Sequence, residues 1–344
     1  MIRRRGVLFV AVLGLGIHVT AAPTPAQAPV TIKLATIAPA ASPVYQALTA
    51  MGDEWNTSTG GRVKLTVYAG GVQGDEPSVV KMMRPGVDGV QAALLTAPGL
   101  AGVDDAVNAL EMPFFLQSDA EMQGVLKTLA PVIATRLDAK GLHVLNWDSL
   151  GWIQLFSKKP VRTLGDLRTA KLFTTSGDDR MVQWYTANGF QPVPLKATDI
   201  PTQLKLATGL IDATPMPPSV ALVLQVFRDA PNMLEIGVAP LLGATVVSHD
   251  TWNRISAEDR AHMLEAAAAM DAKLMAGAPR LDAAAVGLMQ AQGLTVTKLD
   301  AAGAAEFRAA AADLLKTMRG GMVPADVYDL AVRARDAFRK SAGK

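Results

Sequence analysis

A search for reacting groups along the 344 residues finds little that could make or break a covalent bond. There is no cysteine, and His18, His143, His249 and His262 are scattered singly, with no pair at metal-ligand spacing. Asp104-Asp105 and Asp178-Asp179 are adjacent acids. Adjacent side chains diverge on both helix and strand, so neither pair forms a carboxylate dyad. The sequence contains no phosphate loop, dinucleotide fingerprint or nucleophile elbow. It does contain binding chemistry. Trp147 closes one strand-like run, Trp152 opens the next, and Phe173 lies inside a third. Trp184 and Tyr185 follow on a helix, and Pro215-Met216-Pro217-Pro218 follows a run ending near Ala213. In open α/β sheets ligands sit just beyond the carboxyl ends of the strands. Phe173, Trp152, Trp147, Trp184 and Met216 are therefore candidates for the wall of an apolar cleft. Ser42, Gln73, Thr96, Asp148 and Asp212 are the candidate polar contacts. No cofactor or metal is expected.

The elements that must position these residues follow from periodicity. Thr31–Thr36 reads as a strand, Val44–Glu54 as a helix and Val63–Tyr68, with strict alternation, as a second strand. Pro77–Met83 is a short helix and Val90–Leu95 a buried strand. Strand and helix in alternation with short links predict a parallel sheet with crossover helices. Helical stretches follow at Ala120–Leu126 and Val132–Ala139, then strands at Leu142–Trp147 and Ile153–Phe156. A second block repeats the pattern: strand Lys171–Thr174, helix Arg180–Asn188, extended Pro192–Leu195, helix Ile200–Thr208 and strand Leu210–Ala213. Thr245–Ser248 is a further strand. From Ser256, an N-cap followed by Glu258 and Asp259, the chain turns helical and Ala-rich, with breaks expected at Gly277–Pro279, Gly293 and Gly320–Gly321.

Half of the residues are hydrophobic and 19% are charged, which excludes a disordered chain, a collagen-like repeat and a disulfide scaffold. The formal charge of +2 includes Arg3, Arg4 and Arg5. These precede an apolar run, Val7–Val19, too short to span a bilayer, and then small residues. The pattern predicts an export signal over residues 1–21, with its end between 21 and 28, and a product outside the cytoplasm. Without the signal the chain is close to neutral, so nucleic acid is not an expected partner.

A set of short motifs then points further. Gly60-Gly61-Arg62-Val63 is followed by Tyr68-Ala69-Gly70-Gly71 and Gly74, then by Gly86-Val87-Asp88 and Pro113-Phe114-Phe115-Leu116. Gly141-Leu142 leads to Trp147, and Thr163-Leu164-Gly165-Asp166-Leu167 follows. Next come Asn188-Gly189-Phe190-Gln191-Pro192-Val193-Pro194, Thr208-Gly209-Leu210-Ile211-Asp212, and Trp252 before Ile255–Arg260. In this order, from about Val30 to Leu299, the chain resembles the DctP-type solute-binding proteins of tripartite ATP-independent periplasmic (TRAP) transporters. The resemblance implies an α/β periplasmic-binding fold whose two discontinuous lobes close on a small ligand, with a long connecting helix for which Ser256–Met275 is the candidate. The implied lobes are 29–150 with 239–278, and 151–238 with 279–344. It also implies a periplasmic receptor, not an enzyme, that hands its ligand to TRAP membrane permease subunits driven by an ion gradient.

The sequence departs from that family at the positions that would grip the ligand. The family's carboxylate-binding Arg, in the strand after Asp166-Leu167, is Phe173 here. A second frequent Arg is Ile153, and the run Gly-Gln-Glu-Asn-Pro is replaced by Ala213-Thr214-Pro215-Met216-Pro217. The resemblance with these departures implies an apolar, aromatic or neutral ligand. Two alternatives stand beside it: a carboxylate receptor whose cation has moved to Arg180, Lys171 or Arg84, and a non-transport binding or scaffold protein on the same fold.

Overall fold

The computed structural model describes residues 29–84, 89–205 and 209–343. The expected export signal, Gly86-Val87-Asp88 and Thr208 lie outside the described residues. The chain opens with three parallel strands, β1 (Val30–Thr36), β2 (Val63–Tyr68) and β3 (Ala92–Thr96), linked by α1 (Pro43–Ser58) and α2 (Glu76–Met82). Ser42 starts α1: its hydroxyl accepts the Tyr45 N–H at 3.2 Å, and Pro43 supplies a preset φ at the first helical position. Then come α3 (Ala97–Ala101), a 3-10 turn at Asp105–Leu110, α4 (Asp119–Asp138) and the 11-residue β4 (Leu142–Trp152). The two helical stretches expected within α4 are one helix running through Pro131. Its buried face, Met122, Val125, Leu126 and Leu129 before the proline and Ile133 and Leu137 after it, is continuous and outweighs one missing backbone hydrogen bond.

The chain then builds a second sheet from β5 (Gln154–Ser157), α5 (Leu164–Thr169), β6 (Lys171–Thr175), α6 (Asp179–Ala187), β7 (Gln191–Leu195), α7 (Ile200–Gln203), β8 (Ala213–Met216), α8 (Pro218–Val223) and β9 (Asn232–Glu235). β8 begins where the expected strand Leu210–Ala213 would have ended. Its pairing with β5, Gln154 opposite Met216 and Ser157 opposite Ala213, fixes that register. β10 (Pro240–Ser248) returns to the first sheet and runs antiparallel between β3 and β4. α9 (His249–Arg254), α10 (Ala257–Gln290), β11 (Thr295–Lys298), α11 (Ala301–Gly321) and α12 (Ala325–Ala342) complete the chain. The sheet orders are β2-β1-β3-β10-β4 and β11-β9-β5-β8-β6-β7. Among the described residues no helix is long and apolar enough to cross a membrane.

The polypeptide thus passes between sheets at 152–154 and at 236–239, and the two passages hold each other. The Ile153 N–H donates to the Ala239 carbonyl at 2.9 Å, and the Val238 N–H to the Ile153 carbonyl at 3.0 Å. α10 straddles both lobes. Its first half buries Met263, Ala267, Met270 and Leu274 against the first sheet's core, and its second half buries Ala285 and Met289 in the second. It is one 34-residue helix that continues past the break expected at Gly277–Pro279, because both flanks of Pro279 are held by packing. Ser256 caps it as expected, accepting the Asp259 N–H at 3.1 Å. The stretch 279–344 does not all belong with the second lobe. Val327 and Ala331 of α12 sit in the core formed with α4 and the 105–110 turn of the first lobe, because α12 is amphipathic and α4 offers the facing apolar stripe.

Candidate functional site

Between the two sheets lies a cavity of about 570 Å³, within the usual range for a small-molecule site. The first lobe contributes Ile37, Ser42, Glu76, Leu94, Thr96 and Glu111 to its wall. The second contributes Phe173, Thr175, Thr198, Ile200, Pro215, Met216 and Ser219. Leu150 and Ile153 of the crossing strand, with Leu274, Ala278 and Leu281 of α10, close the back. Further contacts join the two lobes. Arg180 of α6 donates to Asp105 and to the Gly321 carbonyl, each at 2.8 Å. Lys196 stands 3.8 Å from Asp75. Thr198 approaches Gly71 so closely that a Cβ there would meet its methyl at 2.5 Å.

Two acids are the only charged side chains lining the cavity among the described residues; no Lys, Arg or His does. Glu76, at the first position of α2, accepts the Thr96 N–H at 2.6 Å through Oε1 and the Thr96 hydroxyl at 2.7 Å through Oε2. Gly99 makes this possible, since a Cβ there would stand 2.7 Å from Oε2. Glu111 accepts the Leu242 N–H at 2.8 Å through Oε1. Burial pushes both carboxyls up. For Glu111 the neighbouring Glu76 adds to the effect, and its pKa is pushed up to about 8. Glu111 is therefore largely protonated at neutral pH and can present an O–H to a ligand. A pH dependence follows. Between the ordinary Glu value of 4.5 and about 8, the unfolded chain loses the Glu111 proton while the folded protein keeps it. This contribution to stability is complete below pH 4.5 and is lost as pH rises through about 8. Thermal midpoints of the unliganded protein should fall from about pH 5 to about pH 9, and Glu111→Gln should flatten part of that decline. A variant profile parallel to the wild type's would show that Glu111 is not the titrating group.

The structure brings together some of the candidate residues and separates others. Ser42, Thr96, Phe173 and Met216 line the cavity. So do Ile153 and Pro215, which means that three positions where the resemblance implies polar grip stand in the wall as apolar side chains. Trp147 does not: it is buried in the first lobe's core with α4. Trp152 is one residue from Ile153 on an extended backbone and so points to the opposite face. It lines a wide groove behind the crossing, where its indole N–H donates to Asp119 at 2.7 Å. Trp184 packs with Tyr185 and Phe190. Asp212 stands 3.5 Å from Lys158 and accepts the Lys171 N–H, away from the cavity. Gln73 lies in the turn after β2, and Asp148 is buried behind β4; neither lines the cavity. The cations considered for a relocated grip, Arg180, Lys171 and Arg84, are also outside the lining, with Arg180 engaged by Asp105.

Sequence reasoning missed Glu76 and Glu111. An acid in the first turn of a helix reads as a partner of the helix dipole, and Glu111 precedes Pro113-Phe114-Phe115-Leu116 in an irregular stretch. The signal that could have found Glu76 was its place directly after Gly70-Gly71 and Gly74, at the carboxyl end of β2.

Comparison with known proteins agrees with this architecture. The family model described as DctP, bacterial extracellular solute-binding protein, family 7, matches residues 34–320. A solute-binding protein of Chromohalobacter salexigens is 29% identical over 178 residues, 51% of this chain and 52% of its own, so the aligned stretch spans about half of that relative. Among solved structures, a TRAP periplasmic solute-binding protein of Chromohalobacter salexigens with bound D-glucuronate superposes with a TM-score of 0.81 at 22% identity, over 89% of this chain and 99% of that one. One from Pseudomonas putida F1, also with D-glucuronate, gives 0.79 at 25% identity over 88% and 96%. The sugar acid binding protein of Advenella mimigardefordensis, in complex with galactonate, gives 0.84 at 15% identity over 90% and 99%.

Proposed function

From the premise that this chain belongs to the DctP family of bacterial extracellular solute-binding proteins, we propose that its cleft receives a compact apolar, aromatic or neutral molecule rather than a sugar acid. In this reading the protein works in the periplasm and delivers that ligand to the membrane subunits of a TRAP-type transporter. The observation that carries the ligand class is the lining: two buried carboxyls, no base among the described residues, and apolar side chains at Ile153, Phe173, Pro215 and Met216. A carboxylate held there would be desolvated beside Glu76 and Glu111 with no cation to pair with, a cost of several kcal/mol. An apolar ligand is favoured instead by the area it hides, about 2.5 kcal/mol for each 100 Å² at about 25 cal/mol per Å². Orientation would come from hydrogen bonds. Protonated Glu111 and the Ser42 hydroxyl can donate to an accepting oxygen or nitrogen on the ligand, so a ketone, ether, amide or neutral heteroaromatic suits the site better than a saturated hydrocarbon.

The solved relatives named above hold glucuronate and galactonate, which makes a sugar acid the reading to test against. Mass spectrometry of ligand carried through purification, under native conditions, is expected to reveal a neutral, largely apolar compound. D-glucuronate, D-galacturonate and galactonate are expected to leave the thermal midpoint unchanged. Retention of a carboxylate, or saturable stabilisation by any of the three acids, would overturn the ligand class while leaving the receptor role intact. No retained ligand and no response to a broad neutral panel would instead favour a binding or scaffold role without solute transport.

A further inference from the structure

Behind the cleft wall, on the face of β4 covered by α10, three side-chain oxygens lack a hydrogen-bond partner within the protein: Asn146 Oδ1, Asp148 Oδ2 and Asp271 Oδ1. They belong together. The Asn146 amide donates to Asp148 Oδ1 at 2.8 Å, two residues along one strand. Thr245 is the cross-strand partner of Asn146 on β10, so its side chain rises on the same face, and its hydroxyl donates a hydrogen bond to the Asp148 carboxyl. Asp271, on α10, is close enough for its charge to act on Asp148. Asp148 and Thr245 are fully buried and Asn146 is 7% exposed.

Such a set conflicts with ordinary packing. Buried polar atoms are normally paired, and leaving one open is destabilising. Here three oxygens on neighbouring elements are open, two of them on carboxyl groups. Among the described residues no basic side chain offsets either group. Lys127 lines the same region but is exposed and forms no ion pair with Asp271. A cavity of about 560 Å³, lined by Asn146, Asp271, Gln123 and Lys127, opens beside the cluster and gives water and ions a path inward.

The geometry points to a binding site for a hard, oxygen-seeking cation, held by Asp148 and Asp271 with the Asn146 amide oxygen and the Thr245 hydroxyl and completed by water from the adjoining cavity. An all-oxygen donor set of carboxylate, amide carbonyl and hydroxyl is that of calcium- or magnesium-type ions, not of zinc or copper. Among the described residues no three acidic, His or Cys side chains form a metal cluster. This set differs in taking half of its donors from an amide and a hydroxyl. Its place is also informative. Asp148 precedes Ser149 and Leu150, which line the cleft, so an occupied site would stiffen the strand that forms the back of the ligand cavity and leads into the crossing.

The test is thermal unfolding of the full chain after chelator treatment, titrated with calcium, magnesium or sodium chloride, with choline chloride at matched ionic strength as the control. One of the three metals is expected to raise the midpoint in a saturable way that choline does not reproduce. Asp148→Asn and Asp271→Asn, which keep size and shape, are expected to abolish or weaken that rise at least tenfold in midpoint concentration, while Asp212→Asn, away from the site, leaves it unchanged. Metal content of the purified protein measured by mass spectrometry should fall in step. No metal-specific rise, or an equal rise in Asp148→Asn, would overturn the site. The cluster would then be two acids that share a proton and hydrogen-bond to water. Because ligand is not involved, failure here leaves the proposed receptor function untouched.

Discussion

Phe173→Ala is expected to weaken binding of the retained ligand by roughly 1–3 kcal/mol, read by calorimetry as a rise in Kd of about 5- to 150-fold. The expectation comes from where the ring sits. Phe173 is 8% exposed, contributes to the second lobe's core and also forms part of the cavity wall. Truncation therefore takes apolar contact from two sides. On the core side the loss resembles any large-to-small change, yet the gap opens into the cleft instead of becoming a sealed void. The fall in stability of the unliganded protein should then lie below the 3–5 kcal/mol typical of fully enclosed Phe→Ala changes. On the cleft side, a ligand that rests on the ring loses that area directly. Phe173→Arg is a sharper variant. It restores the side-chain type that the family resemblance places there, but into a wall where Ile153, Pro215 and Met216 offer it no polar support. It should not create affinity for D-glucuronate. Unchanged affinity in Phe173→Ala, together with a full core-sized loss of stability, would show that the ring serves the lobe alone and would remove the main support for an apolar cleft.

The parts of this architecture that could be read from sequence are those governed by local periodicity. β2 occupies Val63–Tyr68, the span its strict alternation predicts, and Ser256 caps α10 as its residue type suggests. Features set by pairing or by distant packing were not legible. β8 starts at Ala213 because β5 lies antiparallel to it, and no residue between Leu210 and Met216 announces that partner. Both internal prolines, Pro131 and Pro279, sit in helices whose neighbours supply enough burial to carry the chain through. The site shows the same division. Phe173, Met216, Ser42 and Thr96 were found because they lie at the ends of elements, where the sheet topology puts a cleft. Trp147 and Trp152 were assigned to it on size and position, yet side chains alternate along an extended strand. Trp147 precedes and Trp152 interrupts the extended stretch that lines the cavity, at Ser149, Leu150 and Ile153, and neither lines it. The acids Glu76 and Glu111 carry no periodic signature, and only the fold brings them to one wall.

Gly151→Ala is expected to cost the protein roughly 3–5 kcal/mol, the sum of a disfavoured backbone and a displaced carboxylate. Gly151 lies at the end of β4, where the chain leaves the first sheet, with φ at +110°, a region that side chains rarely adopt. A non-glycine residue held there costs about 1–3 kcal/mol. The added Cβ would also collide with Asp282 Oδ2. That carboxylate belongs to α10 and ties three elements together. Its Oδ2 accepts the Trp152 N–H at 3.3 Å and its Oδ1 the Ser219 N–H at 2.9 Å, linking the crossing strand, the long helix and the start of α8. Backbone is harder to move than a side chain, so Asp282 must rotate away and leave both N–H groups without their partner. Urea unfolding measures the loss directly. The double variant Gly151→Ala with Asp282→Ala separates its two parts. If the clash contributes, the second change should cost less in the Gly151→Ala background than in the wild type, because the carboxylate has already been displaced. If only the backbone angle matters, the two losses should add. A loss below about 1 kcal/mol in the single variant would mean that the crossing strand adjusts freely. The two lobes would then be joined by a flexible link and not by a strand pinned to α10.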